Sequence, residues 1–230
     1  MKKLLKNLIL DGWFLLLWLL TLITLGACSI YTVDHVLKEQ MSSVVSVYSD
    51  GYCSGWVLKG SHQVVTAAHC APEDVTTPVG VDFGDGVKHK FHVQYIGDTS
   101  YKKGPDLMTL TTNDDSIKWP IGFSVCKFTP YYGELITLMG GPLMEEKTIT
   151  FGHVSNPSRD FTQDMKADFA KFIQYDGALL PGNSGGPAID TGMKCVIGVA
   201  DMIQTAAPLS GVPLGINYLT PASSLKDLVS

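Results

Sequence analysis

The chain has 230 residues, enough for one large or two small domains with a core that needs no structural metal. Its formal charge of −5 argues against a nucleic-acid partner, since phosphate binding asks for a basic face. No run of like charge is long enough to form a solvated tail.

Residues 1–28 open with Lys2, Lys3 and Lys6 and continue through an uncharged stretch from Gly12 to Ala27, rich in Leu and Trp. A basic start stays cytoplasmic, so the chain beyond the apolar stretch is expected to be exported. The stretch is short against the roughly 20 residues of a spanning helix. Extending it back to Leu8 reaches that length but takes in Asp11. It is apolar all round, unlike a helix packed on a core. Leu25-Gly26-Ala27-Cys28 resembles the bacterial lipobox, in which the cysteine is lipidated and becomes the mature N-terminus. Three fates stay open: a lipoprotein signal, an uncleaved anchor, or plain secretion. The first two place the protein at a membrane, on the extracytoplasmic face. The five cysteines also fit export: if four pair, Cys28 is the odd one out.

Residues 29–40 read as a polar connector. From Met41 the pattern changes, and Val44, Val45 and Val47 begin a strand. Short apolar runs come next, among them Val64-Val65, Phe91-His92-Val93, Leu135-Ile136-Thr137-Leu138 and Val196-Ile197-Gly198-Val199. Turn signals separate them: Ser49-Asp50-Gly51, Lys59-Gly60-Ser61, Gly84-Asp85-Gly86, Asn113-Asp114, Gly140-Gly141-Pro142 and Thr191-Gly192. This spacing predicts an all-β barrel or sandwich. Only Pro221 to Val229 hints at a helical period, with Leu225 and Leu228 placed to dock a short terminal helix.

Two strings carry chemistry. Thr66-Ala67-Ala68-His69-Cys70 offers a base on a corner of small residues, and Pro181-Gly182-Asn183-Ser184-Gly185-Gly186-Pro187 offers a serine wrapped in glycines. A serine hydroxyl is a poor nucleophile until a base within hydrogen-bond reach takes its proton, and that base needs an orienting acid. His69 suits the base. Asp106, in Pro105-Asp106-Leu107-Met108-Thr109-Leu110, can supply the acid, with Asp98, Asp114 and Asp115 as competitors. Backbone N–H groups of Gly182 and Ser184 can aim at a developing oxyanion. His89 and His92, three apart with no further ligand set, are too little for a metal site, and neither metal nor cofactor is expected.

The order His…Asp…Ser within these motifs resembles the chymotrypsin-fold, trypsin-like serine proteases, with a closer likeness to the HtrA/DegP-type endopeptidases. Ser43-Val44-Val45-Ser46-Val47, Cys53-Ser54-Gly55-Trp56-Val57 and Gly215-Ile216-Asn217-Tyr218 add to it. The resemblance implies two six-stranded antiparallel barrels, about 41–122 and 123–220, then a terminal helix at 221–229. His69 and Asp106 would come from the first barrel and Ser184 from the second. It implies a Cys53–Cys70 bridge around the histidine corner, and the fold could bring Cys126 to Cys195. Asn183 stands where trypsins carry the aspartate that pairs with a freshly cut terminus, so no zymogen cut is expected. No room is expected for a PDZ domain. The specificity pocket would rest on Ala178 and Leu179, with no carboxylate to recruit Lys or Arg, which points to a small or apolar residue before the cut. Val199, Ala200 and Asp201 would pair with substrate backbone, though Asp201 could instead hydrogen-bond near the triad. Protein or peptide substrates are the expected partners. The rival functions are a protease fold that binds peptides without cutting them, and a viral or phage polyprotein protease.

Overall fold

The computed structural model describes residues 13, 16–23, 38–144, 147–192, 194–205 and 213–226. The chain divides into two compact units, Met1–Gln40 and Met41–Ser230. In the first, residues 16–23 are helical and exposed. Among the described residues no helix is long and apolar enough to cross a membrane. The expected spanning or signal helix is therefore seen only as this short piece, and Cys28 lies outside the described residues.

The second unit holds twelve described strands. The first six are β1 (Val44–Tyr48), β2 (Tyr52–Leu58), β3 (Gln63–Thr66), β4 (Val79–Asp82), β5 (His89–Ile96) and β6 (Met108–Thr111). They form one closed antiparallel barrel in the order β1-β2-β3-β6-β5-β4, shut by Val47 of β1 facing Val81 of β4. The next six are β7 (Leu135–Gly140), β8 (Thr148–Asp160), β9 (Lys171–Tyr175), β10 (Pro187–Asp190), β11 (Val196–Thr205) and β12 (Pro213–Pro221). They close a second barrel, β10-β11-β12-β9-β8-β7, with Ile189 of β10 facing Thr137 of β7. Closure leaves no open sheet edge, the hazard of all-β chains. The two expected six-stranded antiparallel barrels are thus observed.

Each barrel is filled by its inward residues. Val45, Val47, Val64, Val79, Val81, Phe91 and Leu110 fill the first. Ile136, Leu138, Val154, Ile173, Tyr175, Ile197 and Leu219 fill the second. β-Branched side chains are already stiff at χ1, so packing them on a pleated wall loses little further freedom. β8 is 13 residues long and continues through Pro157, which sits where the pairing with β9 slips between Asn156 and Arg159. A proline is tolerated there because a slipped ladder does not use its missing N–H.

The segment between Thr111 and Leu135 is clipped to both barrels by single bridges, Leu58 to Phe123 and Val125 to Val196. Disulfides join Cys53 to Cys70 and Cys126 to Cys195. Of the expected terminal helix the described residues show a 3₁₀ turn, Ala222–Ser224, that runs into helical Leu225 and Lys226, with Leu225 buried; residues from 227 on, Leu228 included, lie outside the described ones.

Candidate active site

The small-residue corner after β3 becomes a 3₁₀ turn, Ala68–Cys70, that projects the His69 ring outward while Ala68 and Cys70 stay buried. Asp106 lies just before β6, the strand beside β3, and is 1% exposed. It grips His69 at two points. Its Oδ1 accepts the His69 backbone N–H at 2.8 Å, and its Oδ2 lies 2.6 Å from Nδ1. An ionised carboxylate only accepts, so this contact puts the ring proton on Nδ1 and leaves Nε2 bare. Burial pulls the imidazole pKa down, but the hydrogen bond and charge of Asp106, with a further push from Asp201, carry it above its ordinary value. The result is an imidazole held in one orientation and made more basic.

Ser184 reaches this corner through its backbone. Its carbonyl accepts the Ser54 N–H at 2.8 Å and lies 3.9 Å from the Cys70 sulfur, one residue beyond His69. Gly185, at φ +83°, is pressed on the same corner: a Cβ there would stand 2.1 Å from Thr66 Oγ1 and 2.8 Å from the Ala67 nitrogen. Only glycine lets the serine loop approach so closely.

The loop's hydrogen bonds are one-sided. Leu180 C=O accepts from Asn183 N–H, Pro181 C=O from Leu143 N–H, and Asn183 C=O from Gly186 N–H. Gly182 C=O accepts from Ser54 Oγ at 2.7 Å. Every carbonyl from Leu180 to Ser184 is engaged. Among the described residues nothing accepts from the amides of Gly182 or Ser184. The Pro181 carbonyl points at Leu143, which turns the Gly182 N–H of the same trans peptide the other way. Two amides with no acceptor among the described residues, beside a serine and with a bare imidazole nitrogen on the neighbouring corner, are the kinds of group that acyl transfer draws on.

A model of the trypsin-like peptidase domain matches residues 53–199, which contain both motifs and Asp106. The chain belongs to the trypsin-like peptidase family. Among its relatives is the chloroplastic Protease Do-like 8 of Arabidopsis thaliana, 28% identical over 178 residues, 73% of this chain and 39% of that protein. Mitochondrial serine protease HTRA2 of Drosophila willistoni is 28% identical over 162 residues, 70% of this chain and 36% of that protein. The chain therefore spans less than two-fifths of the length of these relatives. The serine endoprotease of Yersinia pestis superposes with a TM-score of 0.63 at 20% identity, covering 85% of this chain and 64% of that one, a likeness of fold.

Other residues of this trypsin-like peptidase fall differently from expectation. Leu179 is 3% exposed and packs in the core of the second barrel, so it is not offered to a substrate. Ala178 is exposed, its carbonyl capped by Thr150 Oγ1 at 3.1 Å. Val199 pairs with Pro187 on one side and Thr220 on the other. The Ala200 carbonyl and N–H are taken by Gly185 N–H and Gly186 C=O, each at 2.9 Å. A substrate strand needs free main-chain groups, and these two residues have none to give. Asp201 turns inward: it is 7% exposed, accepts Tyr101 OH at 2.9 Å and the Thr220 hydroxyl, and faces Asp106. Burial, then the charge of Asp106, push its carboxyl up to about 8 against the pull of those two hydroxyls. His69, Asp106 and Asp201 each present an atom within 4.8 Å of the others. Every carboxylate oxygen among them already accepts a hydrogen bond, so the cluster is built around protons.

Ser54, Tyr101 and Thr220 had no sequence signal as site residues. Ser54 is 1% exposed; its hydroxyl donates to Gly182 C=O and accepts the Gly141 N–H at 2.9 Å, while its carbonyl accepts Thr66 Oγ1 at 2.7 Å. It ties together the histidine corner, the serine loop and the turn after β7.

Proposed function

We propose that this chain is a serine endopeptidase that cleaves peptide bonds through an acyl-enzyme. Ser184 is the nucleophile, His69 the general base and then acid, Asp106 the orienting carboxylate, and the Gly182 and Ser184 amides the oxyanion donors. The observation that carries this reading is the one-sided bonding of the serine loop, with its carbonyls spent on the fold and two amides left to donate. As Ser184 Oγ bonds to the scissile carbonyl carbon, its proton passes to His69 Nε2. The carbonyl oxygen, now negative, receives the two amides. Nε2 then hands the proton to the leaving nitrogen and the C–N bond breaks. Water repeats the sequence on the ester, releasing the acid and restoring the hydroxyl. Each oxyanion donor is worth about 3–4 kcal/mol in the transition state, and this division of roles matches the general serine-protease template.

The reading extends to biology. The serine loop is held by Ser54, Leu143 and its own amides, all internal to the domain, which supports an enzyme that needs no cut terminus. The stretch from Asp176 to Pro181 brings no carboxylate to Ala178 except Asp176 itself, which bonds His153 N–H, so a small or apolar residue is favoured before the cut. The basic start, the lipobox-like string and two disulfides support an exported, membrane-associated protein.

A fluorophosphonate probe should label wild type and not Ser184→Ala, whose melting temperature should stay near wild type because the hydroxyl is not a packing group. Well-folded wild type that neither labels nor hydrolyses peptides would leave a peptide-binding protein instead. For the tether, intact mass of membrane-extracted protein should show a start at Cys28 with added acyl mass. An unmodified Met1 start would replace lipidation with a retained anchor.

A further inference from the structure

We propose that Asp201 is a positioning residue that remains a neutral carboxylic acid while the enzyme works and donates its proton to Asp106 in a carboxyl–carboxylate hydrogen bond. The inference deepens the endopeptidase reading and rests on it, because it assigns the support of the carboxylate that orients His69.

A slip in the sheet puts Asp201 there. Pairing of β11 with β12 shifts between Ala200 and Met202, which leaves Asp201 outside the regular ladder. Bulges of this kind re-aim a side chain. Here the carboxyl turns into the wall behind Asp106, with an oxygen of each residue within 4.8 Å. Asp106 is 1% exposed and Asp201 is 7% exposed. With both carboxyls that close and shielded from water, burial and then the charge on Asp106 oppose ionisation of Asp201.

The hydrogen bonds decide which one keeps the proton. Asp106 receives two N–H groups from His69, one on each oxygen, and such donors stabilise an anion. Asp201 receives only hydroxyls, from Tyr101 and Thr220; they favour its anion, but burial and the charge of Asp106 outweigh them, and a hydroxyl, unlike an N–H, can also accept from a neutral acid. The titratable groups that face Asp201 are Asp106, from the turn before β6, and Tyr101, from the loop between β5 and β6, with His69 just beyond Asp106. Thr220 of β12 does not titrate. Among the described residues no lysine or arginine pairs with Asp201. The excess proton therefore stays on Asp201 and is shared toward Asp106.

Tyr101 is a second, independent sign of a built arrangement. It is a non-glycine residue at φ +58°. Such backbone strain persists where surrounding structure over-determines it. Its N–H donates to Asp98 C=O and its C=O accepts Phe169 N–H, each at 2.9 Å. Its ring stands edge-on to Phe172 at 5.1 Å. The residue is fixed from three sides, and what that fixes is the hydroxyl on Asp201.

One shared proton keeps a single negative charge under His69 and holds the Asp106 plane toward the ring. At alkaline pH the proton leaves to hydroxide, forming water, and a second buried negative charge appears beside Asp106. The pair then repels, and the orientation of Asp106 is lost. Activity should fall on the alkaline side with the titration of Asp201.

The test uses the whole chain with ¹³C-labelled aspartate, read by infrared difference spectroscopy. Near pH 6 wild type should show a protonated-carboxyl C=O band that fades as pH rises and is missing in Asp201→Asn. This readout needs no turnover, so it decides the inference even if the fluorophosphonate probe fails to label Ser184 and the endopeptidase reading falls. Lack of the band in wild type, or its survival in Asp201→Asn, overturns the proposal. In kinetics, the alkaline limb of kcat/KM should vanish in Asp201→Asn, whose amide still donates. Asp201→Leu, which cannot donate, should lose about tenfold or more in kcat with KM little changed. An alkaline limb identical in wild type and Asp201→Asn also overturns it. Should Asp201→Asn not fold, Tyr101→Phe removes one hydroxyl from the same carboxyl and must shift the midpoint of the band; an unmoved midpoint refutes the arrangement.

Discussion

Removing the Ser54 hydroxyl tests how the serine loop is held. Ser54→Ala deletes one oxygen and leaves two groups without a partner: the Gly141 N–H, bonded at 2.9 Å, and the Gly182 C=O, bonded at 2.7 Å. A buried polar group stripped of its partner costs about 1–3 kcal/mol. Gly182 is only half-buried, so water can reach its carbonyl and the sum should stay at about 2–4 kcal/mol. That is a large share of the stability of an ordinary domain, which is about 5–15 kcal/mol. The second consequence concerns rate. The Gly182 C=O is one end of the Gly182–Asn183 peptide, and its bond to Ser54 limits rotation about Gly182, where φ is +99°. Freed of it, the Gly182 N–H loses part of its aim. Complete loss of one oxyanion donor costs about 10²–10³ in kcat, so a drop of about tenfold to a hundredfold is expected with KM little changed. Urea unfolding gives the first quantity, and steady-state kinetics on an unstructured peptide library the second. A variant that is destabilised as stated but keeps kcat within about twofold would show the hydroxyl to be structural alone. A variant unchanged in both would refute the hydrogen-bond reasoning itself.

Two further outcomes rest on the same geometry. Replacing Cys126 and Cys195 by alanine opens a 69-residue loop, worth about 4 kcal/mol in the loop-entropy model, against about 3 kcal/mol for the 17-residue Cys53–Cys70 loop. Urea midpoints should rank the two pairs in that order, while activity at low urea should suffer more from the Cys53–Cys70 change, because Cys70 adjoins His69; the reverse pattern in activity would be contrary to the proposed site. His89 lies between Asp114 at 2.8 Å and Asp85 at 3.6 Å. The Asp114 hydrogen bond, with help from Asp85 and against burial, raises its pKa above 6.5. The folded state thus favours the imidazolium. Its contribution is complete below the unfolded value near 6.5 and disappears as pH rises through the higher folded value. His89→Gln should accordingly destabilise more at about pH 5.5 than at about pH 8.5, measured by thermal melts; an equal loss at both would mean that charge plays no part.

Features that depend on near neighbours in the polymer were legible without coordinates. Alternating apolar runs and turn signals specify short strands, because the pleat has a period of two. The small-residue corner around His69 and the glycines around Ser184 stand out because close approach and positive φ, +99° at Gly182 and +83° at Gly185, are demanded within a few residues. Asp106 was legible through the strand pattern just beyond it. Features that depend on which strands come to lie side by side needed the folded barrels. Ser54 and Gly182 are 128 positions apart, and Tyr101 and Asp201 are 100 apart, so no local pattern marks either pair. The inward turn of Asp201 comes from a one-residue slip between β11 and β12, which flips a side chain to the other face without any change in composition. Leu179 and Ala178, neighbours in the loop after β9, likewise differ only in the folded molecule, where Leu179 packs in the core of the second barrel and Ala178 is exposed.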